Sequence, residues 1–281
     1  MKSLLAALTV GFTSLVGVSY AEAATITLYD GGASGVTPEN YNVPQYSPPG
    51  PGLSFTNLNL ATGTPTATRS SVNNVNSTAS NNIYAGFSNY TIFQTPVNNQ
   101  FPNLDPNNGY TLNFAVEILG GSFTNSDRAG FSVLVIGSNV APGVQSSIEI
   151  AFQNGRIFAQ NVGFTAGEQS TFNPVGAGLV NYSLQVLGTN YTLSANGSTI
   201  LSNQLRDYTS FAGPINPYSL PNFLFFGDNT TSANGNFNLG AISANTNEAN
   251  AAAVPYEFSP TIGLLTLGAF ATFSYLKKRQ A

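Results

Sequence analysis

The sequence predicts an all-β sandwich, and three observations predict it. Tyr110, Leu112, Phe114, Val116 and Ile118 alternate with Thr111, Asn113, Ala115 and Glu117, the period of two that places one face of a strand in a core and the other outside it. Asn-Gly pairs stand between such runs at Asn154-Gly155 and Asn196-Gly197, the dipeptide that best fits a two-residue hairpin turn. Between the two ends of the chain there is no helical period and no internal repeat. Strand candidates instead recur about every 8–12 residues, joined by Gly and Asn, as in sandwiches and barrels.

In order, Ala24 to Tyr29 alternates and reads as a first strand, closed by the Asp30-Gly31-Gly32 turn. Ala33 to Gly52 carries Pro38, Pro44, Pro48, Pro49 and Pro51, which exclude a central strand because each proline removes a ladder donor. Leu53 to Leu58 and Ala67 to Val72 are short strands, and Asn73 to Asn82 reads as a polar loop. Asn82 to Phe93, with Ile83, Tyr84, Phe87 and Tyr90, is expected to hold an edge strand. Beyond the strand that starts at Tyr110, Gly120-Gly121 is the expected stop. Ala129 to Ile136 is nearly all apolar, so it should be central and buried on both faces. Ser147 to Phe152 and Arg156 to Asn161 form one hairpin. Val180 to Leu187 and Asn190 to Ala195 form a second through Gly188-Thr189, and Thr199 to Leu205 follows. Asn222 to Phe226 and Asn236 to Ile242 complete the sandwich, which is assigned residues 24–244. Residues 245–253, small and polar, read as a linker.

The two ends carry targeting signals. Lys2, an apolar run from Leu4 to Val18 and the small-x-small string Ala21-Glu22-Ala23 form a secretory signal peptide over residues 1–23. Cleavage is expected after Ala23, with Ala24 one alternative. At the other end, residues 254–281 have three parts. Val254, Pro255, Tyr256, Glu257 and Phe258 open a proline-bearing extended run that ends at Pro260. An apolar segment over about 260–276 follows, and Lys277, Lys278 and Arg279 close it. The run from Phe258 to Leu276 is about the ~18–20 residues needed to cross a bilayer. Its apolar residues go all round rather than forming a stripe, and its basic flank marks the cytoplasmic side. The order of short motif, apolar helix and basic cluster resembles the PEP-CTERM sorting signals of exosortase-processed bacterial proteins, in the variant common in cyanobacteria. In this chain the second proline comes late, at Pro260, which leaves the processing position open. The resemblance covers the tail alone. It implies export, temporary anchoring in the membrane, and handling first by signal peptidase and then by an exosortase-type enzyme.

Charged residues make up only 7% of the chain and hydrophobic residues 42%, and the 20 Phe and 13 Tyr argue against disorder. From Thr25 to Asn250 there are four arginines (Arg69, Arg128, Arg156, Arg206) and ten acids, so the net charge of that span is 4 − 10 = −6. Nucleic acid is excluded as a partner, because no basic stripe exists to displace phosphate counterions. Cysteine and histidine are absent. Disulfides, Cys nucleophiles, imidazole-ligated zinc and Ser-His-Asp triads are therefore excluded.

The strings DRAGFSVLV (127–135), IEIAF (148–152), GRIFAQN (155–161), YTLSANGSTILSNQLRDYTSF (191–211) and PNFLFFGDNTTSANGNFNLGAIS (221–243) resemble concanavalin A-like, LamG-type jelly rolls. They also resemble a group of bacterial surface domains that carry sorting tails. The resemblance implies a concanavalin A-like jelly-roll β-sandwich, a fold that hosts lectins, hydrolases and adhesion modules alike.

Three chemistries are open to this residue set. Glycoside hydrolysis needs two carboxylates about 5–9 Å apart. Glu117 and Glu149 sit on strands, opposite the large apolar residues, but the closely spaced acids of jelly-roll glucanases and any tryptophan platform are missing. Solvated, outward-facing carboxylates are the expectation for both. Calcium takes turn oxygens, and Asp127, Asp228 and Asn229 are the candidate ligands. Asx capping, or salt bridges of Asp127 or Asp228 with Arg128 or Arg206, account for the same residues. Sugar binding needs aromatic faces beside amides and hydroxyls, and Tyr208, Phe211, Tyr218 and Tyr182 are the candidates. The expectation is a non-enzymatic surface or matrix protein that meets glycans, such as an extracellular polysaccharide, or neighbouring proteins. A polysaccharide hydrolase is the alternative.

Overall fold

In the computed structural model, residues 24–59, 67–77, 83–92, 94–213 and 215–246 are described. The expected signal peptide, most of the expected linker and the whole of the expected sorting tail lie outside them. In chain order the strands are β1 (Ala24–Asp30), β2 (Asn42–Val43), β3 (Gly50–Pro51), β4 (Ser54–Asn59), β5 (Ala67–Arg69), β6 (Asn74–Ser77), β7 (Ile83–Ser88), β8 (Tyr110–Phe123) and β9 (Phe131–Ile136). They continue with β10 (Ser147–Gln153), β11 (Arg156–Gln160), β12 (Ala166–Ser170), β13 (Val180–Leu187), β14 (Asn190–Ala195), β15 (Ser198–Gln204), β16 (Leu224–Asp228) and β17 (Ala233–Thr246).

The period-two run of β8 lies near the middle of an eight-stranded antiparallel sheet, ordered β15-β14-β13-β8-β17-β6-β5, with β1 also paired to β17. A seven-stranded antiparallel sheet, β12-β11-β10-β9-β16-β7-β4, stacks on it. The apolar alternates of both sheets meet between them. Phe114 and Tyr182 of the first sheet lie against Phe152 of the second, at 6.3 and 5.1 Å between ring centroids. Phe237 lies 4.6 Å from Phe131. This all-β sandwich is the fold class expected. The hairpin turns follow their residues: Asn196 and Gly197 both have positive φ, 47° and 83°, as a type I′ turn requires.

Several features differ from the sequence reading, and four of them shape the two sheets. Residues 74–77 pair with both β17 and β5 as β6. Their polar side chains carry no apolar alternation, yet Val75 and Ser77 are buried. The strand at Ile83–Ser88 is interior, between β16 and β4, and not an edge. β8 runs through Gly120-Gly121 to Phe123 because β17 pairs with it along that whole length. β17 itself continues past Ala244 to Thr246, where Asn245 faces both Thr111 and Thr25. The first two residues assigned to the linker thus belong to the sheet.

β9 is central and buried on both faces, as its apolar composition predicts. Its second face is covered by the connection between β15 and β16. Tyr208, Phe211, Tyr218 and Leu220 of that connection pack on Leu134 and Phe225 and form a second apolar layer outside the sandwich.

Candidate functional site

That second layer builds the site. Alternation along β9, β10 and β16 sends Phe131, Val133, Ile148, Ile150 and Phe226 inward. It sends Leu134, Glu149 and Phe225 to the outer face, where the register pairs Glu149 with Leu134 and Leu134 with Phe225. A short 3-10 turn at Pro217–Ser219, capped by Asn216, lays Tyr218 over this row. The Tyr218 hydroxyl donates to Glu149 Oε2 at 2.6 Å, and the Tyr208 hydroxyl donates to the Gln160 carbonyl at 2.7 Å. Phe164, in the turn between β11 and β12, joins from the side. Its ring lies 5.9 Å from Tyr208, 5.4 Å from Phe211 and 5.3 Å from Tyr218.

Between this aromatic wall and the strand ends around Tyr90 lies a groove of about 110 Å³. Tyr90, Phe211, Tyr218, Phe223 and Phe225 supply ring surface. Thr56, Thr91, Gln94, Arg128 and Asn229 supply the polar edge. No carboxylate lines it among the described residues. Two residues on its walls, Gln94 and Phe164, hold left-handed backbone with φ of 61° and 56°. Such conformations cost about 1–3 kcal/mol for residues with side chains and cluster where geometry is held for function.

Glu149 is fully buried beneath the wall. Its Oε1 has no hydrogen-bond partner. Burial pushes its carboxyl above the usual carboxylate range, and only partial relief comes from Tyr218, Asn229 and the charge of Arg128. This corrects the expectation of a solvated carboxylate. Sequence alternation places Glu149 outside the core correctly, but it does not show the layer that covers that face. Glu117 is on the outer face of the other sheet, where Asn238 Nδ2 donates to its Oε2 at 2.8 Å. The two acids thus stand on opposite sides of a sandwich about 10 Å thick, and they cannot act across one glycosidic bond.

The calcium candidates are not brought together. Asp228 is buried on the inner side, with Ser77 Oγ donating to Oδ2 at 3.1 Å and Thr230 N donating to Oδ1 at 3.0 Å. Burial raises its carboxyl well above the ordinary range. Asn229, the next residue, lines the groove on the other side. Asp127 accepts the Ala166 N–H at 3.0 Å. Among the described residues, no group of three His, Cys, Asp or Glu side chains is arranged for a metal. The alternative salt bridges also do not form, since Arg206 pairs with Glu168 at 2.6 Å. The Asx reading holds at Asp228. Of the sugar-binding candidates, Phe211 and Tyr218 line the groove, and Tyr208 is buried behind them, 5.2 Å from the Tyr218 ring. Tyr182 is instead a core residue, stacked at 5.2 Å on Phe114. Sequence reasoning misses Phe164 and Arg128 as parts of this wall, and nothing local in the sequence marks them.

No protein-family model matches the chain, and no curated protein matches it. Solved structures similar to it include a carbohydrate esterase from Shiga toxin-encoding bacteriophage phi24B. That protein is 13% identical over 70% of this chain and 91% of its own, with a TM-score of 0.42. The exoplasmic/lumenal domain of VIP36 in a Ca2+/Man2-bound form is 10% identical over 75% and 86%, also at 0.42. The alginate lyase A1-II', of polysaccharide lyase family 7, is 13% identical over 82% and 96%, at 0.35.

Proposed function

We propose that this chain is an exported protein of the cell surface or extracellular matrix, with a concanavalin A-like jelly roll whose groove over the seven-stranded sheet binds glycan without cleaving it. The observation that carries this reading is the groove itself. Its aromatic rings offer faces for the C–H surface of a sugar, and hydroxyl and amide groups at its edge suit sugar hydroxyls. Its place on the outer face of a rigid sheet, with two backbone positions held left-handed, supports a preformed site. The sorting tail supports delivery to the surface, with membrane anchoring through the segment before Lys277, Lys278 and Arg279.

Hydrolysis is the second reading, and Glu149 favours it in one respect: a buried carboxyl with raised pKa is what a general acid needs. It lacks a carboxylate partner at the groove, and Tyr218 covers it. A glycan array with the purified protein tests the main reading. Selective binding is expected, and a folded protein that binds no glycan refutes it. Turnover of any bound polysaccharide that is abolished by Glu149→Gln would establish the hydrolase instead. For sorting, Glu257→Ala and deletion of Lys277 to Arg279 should each alter processing, and unchanged surface display in both refutes that part.

A further inference from the structure

The four arginines of the sandwich are not used alike. Arg69 pairs with Glu39 at 2.8 Å and Arg206 with Glu168 at 2.6 Å. Arg156 donates Nε to Gln153 Oε1 and Nη1 to Gln169 Oε1, at 2.8 and 2.7 Å. Arg128 has no ion pair among the described residues. Its guanidinium carbon sits 4.8 Å from the centroid of the Phe164 ring, and it is the one charged side chain that lines the groove among those residues.

Stacking on a ring engages the face of a guanidinium and leaves its N–H edge free. The Phe164 backbone is itself left-handed, with φ of 56°. Nearby Glu149 is hydrogen-bonded by Tyr218 and lies behind it, out of the groove. Among the described residues the groove therefore presents one cation, no anion, and aromatic faces on either side.

From this juxtaposition we propose that the groove selects acidic glycans, with Arg128 forking onto the carboxylate of a uronic acid residue while the ring walls take the sugar face. The inference rests on the glycan-binding reading above. A planar fork matched to a carboxylate forms two parallel, charge-assisted hydrogen bonds, which a lysine cannot reproduce. Gln94, which also lines the groove, is placed for the ring hydroxyls.

The test is calorimetric titration of the purified protein with a galacturonate trisaccharide and with the neutral galactose trisaccharide, for the parent, Arg128→Lys and Arg128→Gln. The acidic sugar should bind at least tenfold tighter than the neutral one, and more weakly as salt is raised. Arg128→Gln should erase that preference, and Arg128→Lys should keep only a small part of it. Arg128 is half-buried, so melting curves of both variants should show a folded protein. Equal binding of the two trisaccharides, or a preference untouched by Arg128→Gln, overturns the inference and leaves glycan binding standing. Binding of neither also overturns the inference, and the glycan array then decides separately whether glycan binding stands. Binding of a fatty acid carboxylate in place of the uronide also overturns it.

Discussion

Replacing Glu149 by Gln keeps the shape of the side chain and removes its charge. The parent carboxyl is fully buried, receives one hydrogen bond at 2.6 Å from Tyr218, and has an unpartnered second oxygen. Burial raises its pKa in the folded state. The sign follows from which state releases its proton first. Below the unfolded value of about 4.3 the carboxyl is protonated in both states and costs nothing. As pH rises, the unfolded chain loses the proton first, and stability falls until the folded pKa is passed. Each tenfold weakening of the acid in the fold corresponds to about 1.4 kcal/mol. With about 2–4 °C per kcal/mol for a domain of this size, that is about 3–6 °C in Tm. The glutamine carries no such penalty, though its amide brings N–H groups that the pocket does not pair, at about 1–3 kcal/mol. The variant should therefore melt below the parent near pH 4 and gain on it as pH rises toward 8, until the raised folded-state pKa is passed and the difference levels off. Scanning calorimetry at half-unit steps measures the difference. Parallel curves for the two proteins across that range refute a buried carboxyl with raised pKa. Asp228, whose pKa is also raised by burial, contributes the same slope to both proteins and cancels from the comparison.

Other outcomes follow from the packing. A Cβ on Gly130 would overlap the Asn234 carbonyl, where the start of β9 meets β17 across the sandwich. Gly130→Ala should lower Tm by ten degrees or more or abolish folding, with the loss of soluble protein as the readout, and a near-parental melt would refute that contact. Phe237, fully buried against Phe131, should cost about 3–5 kcal/mol when truncated to Ala, measured by urea denaturation. A loss below about 1 kcal/mol, far under that range, would refute its place in the core. Chelation by EDTA should leave Tm unchanged, because the Asp228 oxygens are occupied by Ser77 and Thr230. A drop of several degrees would show a calcium ion bound after all.

How much of this is legible follows from what each strand packs against. Tyr110–Ile118 has one face in the core and one outside, so its period of two is visible. Ala129–Ile136 announces burial on both faces through continuous apolar character, and the structure supplies the cover. β6 is not legible, since Asn74-Val75-Asn76-Ser77 pairs through its backbone, and Ser77 is buried by a hydrogen bond from Gly235 N at 2.7 Å and not by being apolar. At the site, Tyr208, Phe211 and Tyr218 are readable as aromatics in a connection, but their convergence is not. It depends on a 3-10 turn and on Phe164, 44 residues before Tyr208 and in another turn.

The cover over the seven-stranded sheet explains both the burial of Glu149 and the presence of a groove. A sheet in a two-layer sandwich ordinarily leaves its outer face to water, and an outward Glu there is unremarkable. Here the β15–β16 connection turns that face into a second interior. The layer stops short of the β7 end, where the Tyr90 hydroxyl donates to the Pro221 carbonyl at 2.7 Å and the groove opens beside it. Glu149 then holds the wall through Tyr218, and Arg128 stands at the edge without an ion pair. A wall fixed by a buried acid and a rim that carries Arg128 divide two tasks. On the reading proposed above, the acid holds Tyr218 in the wall, and the arginine is left to meet what enters the groove.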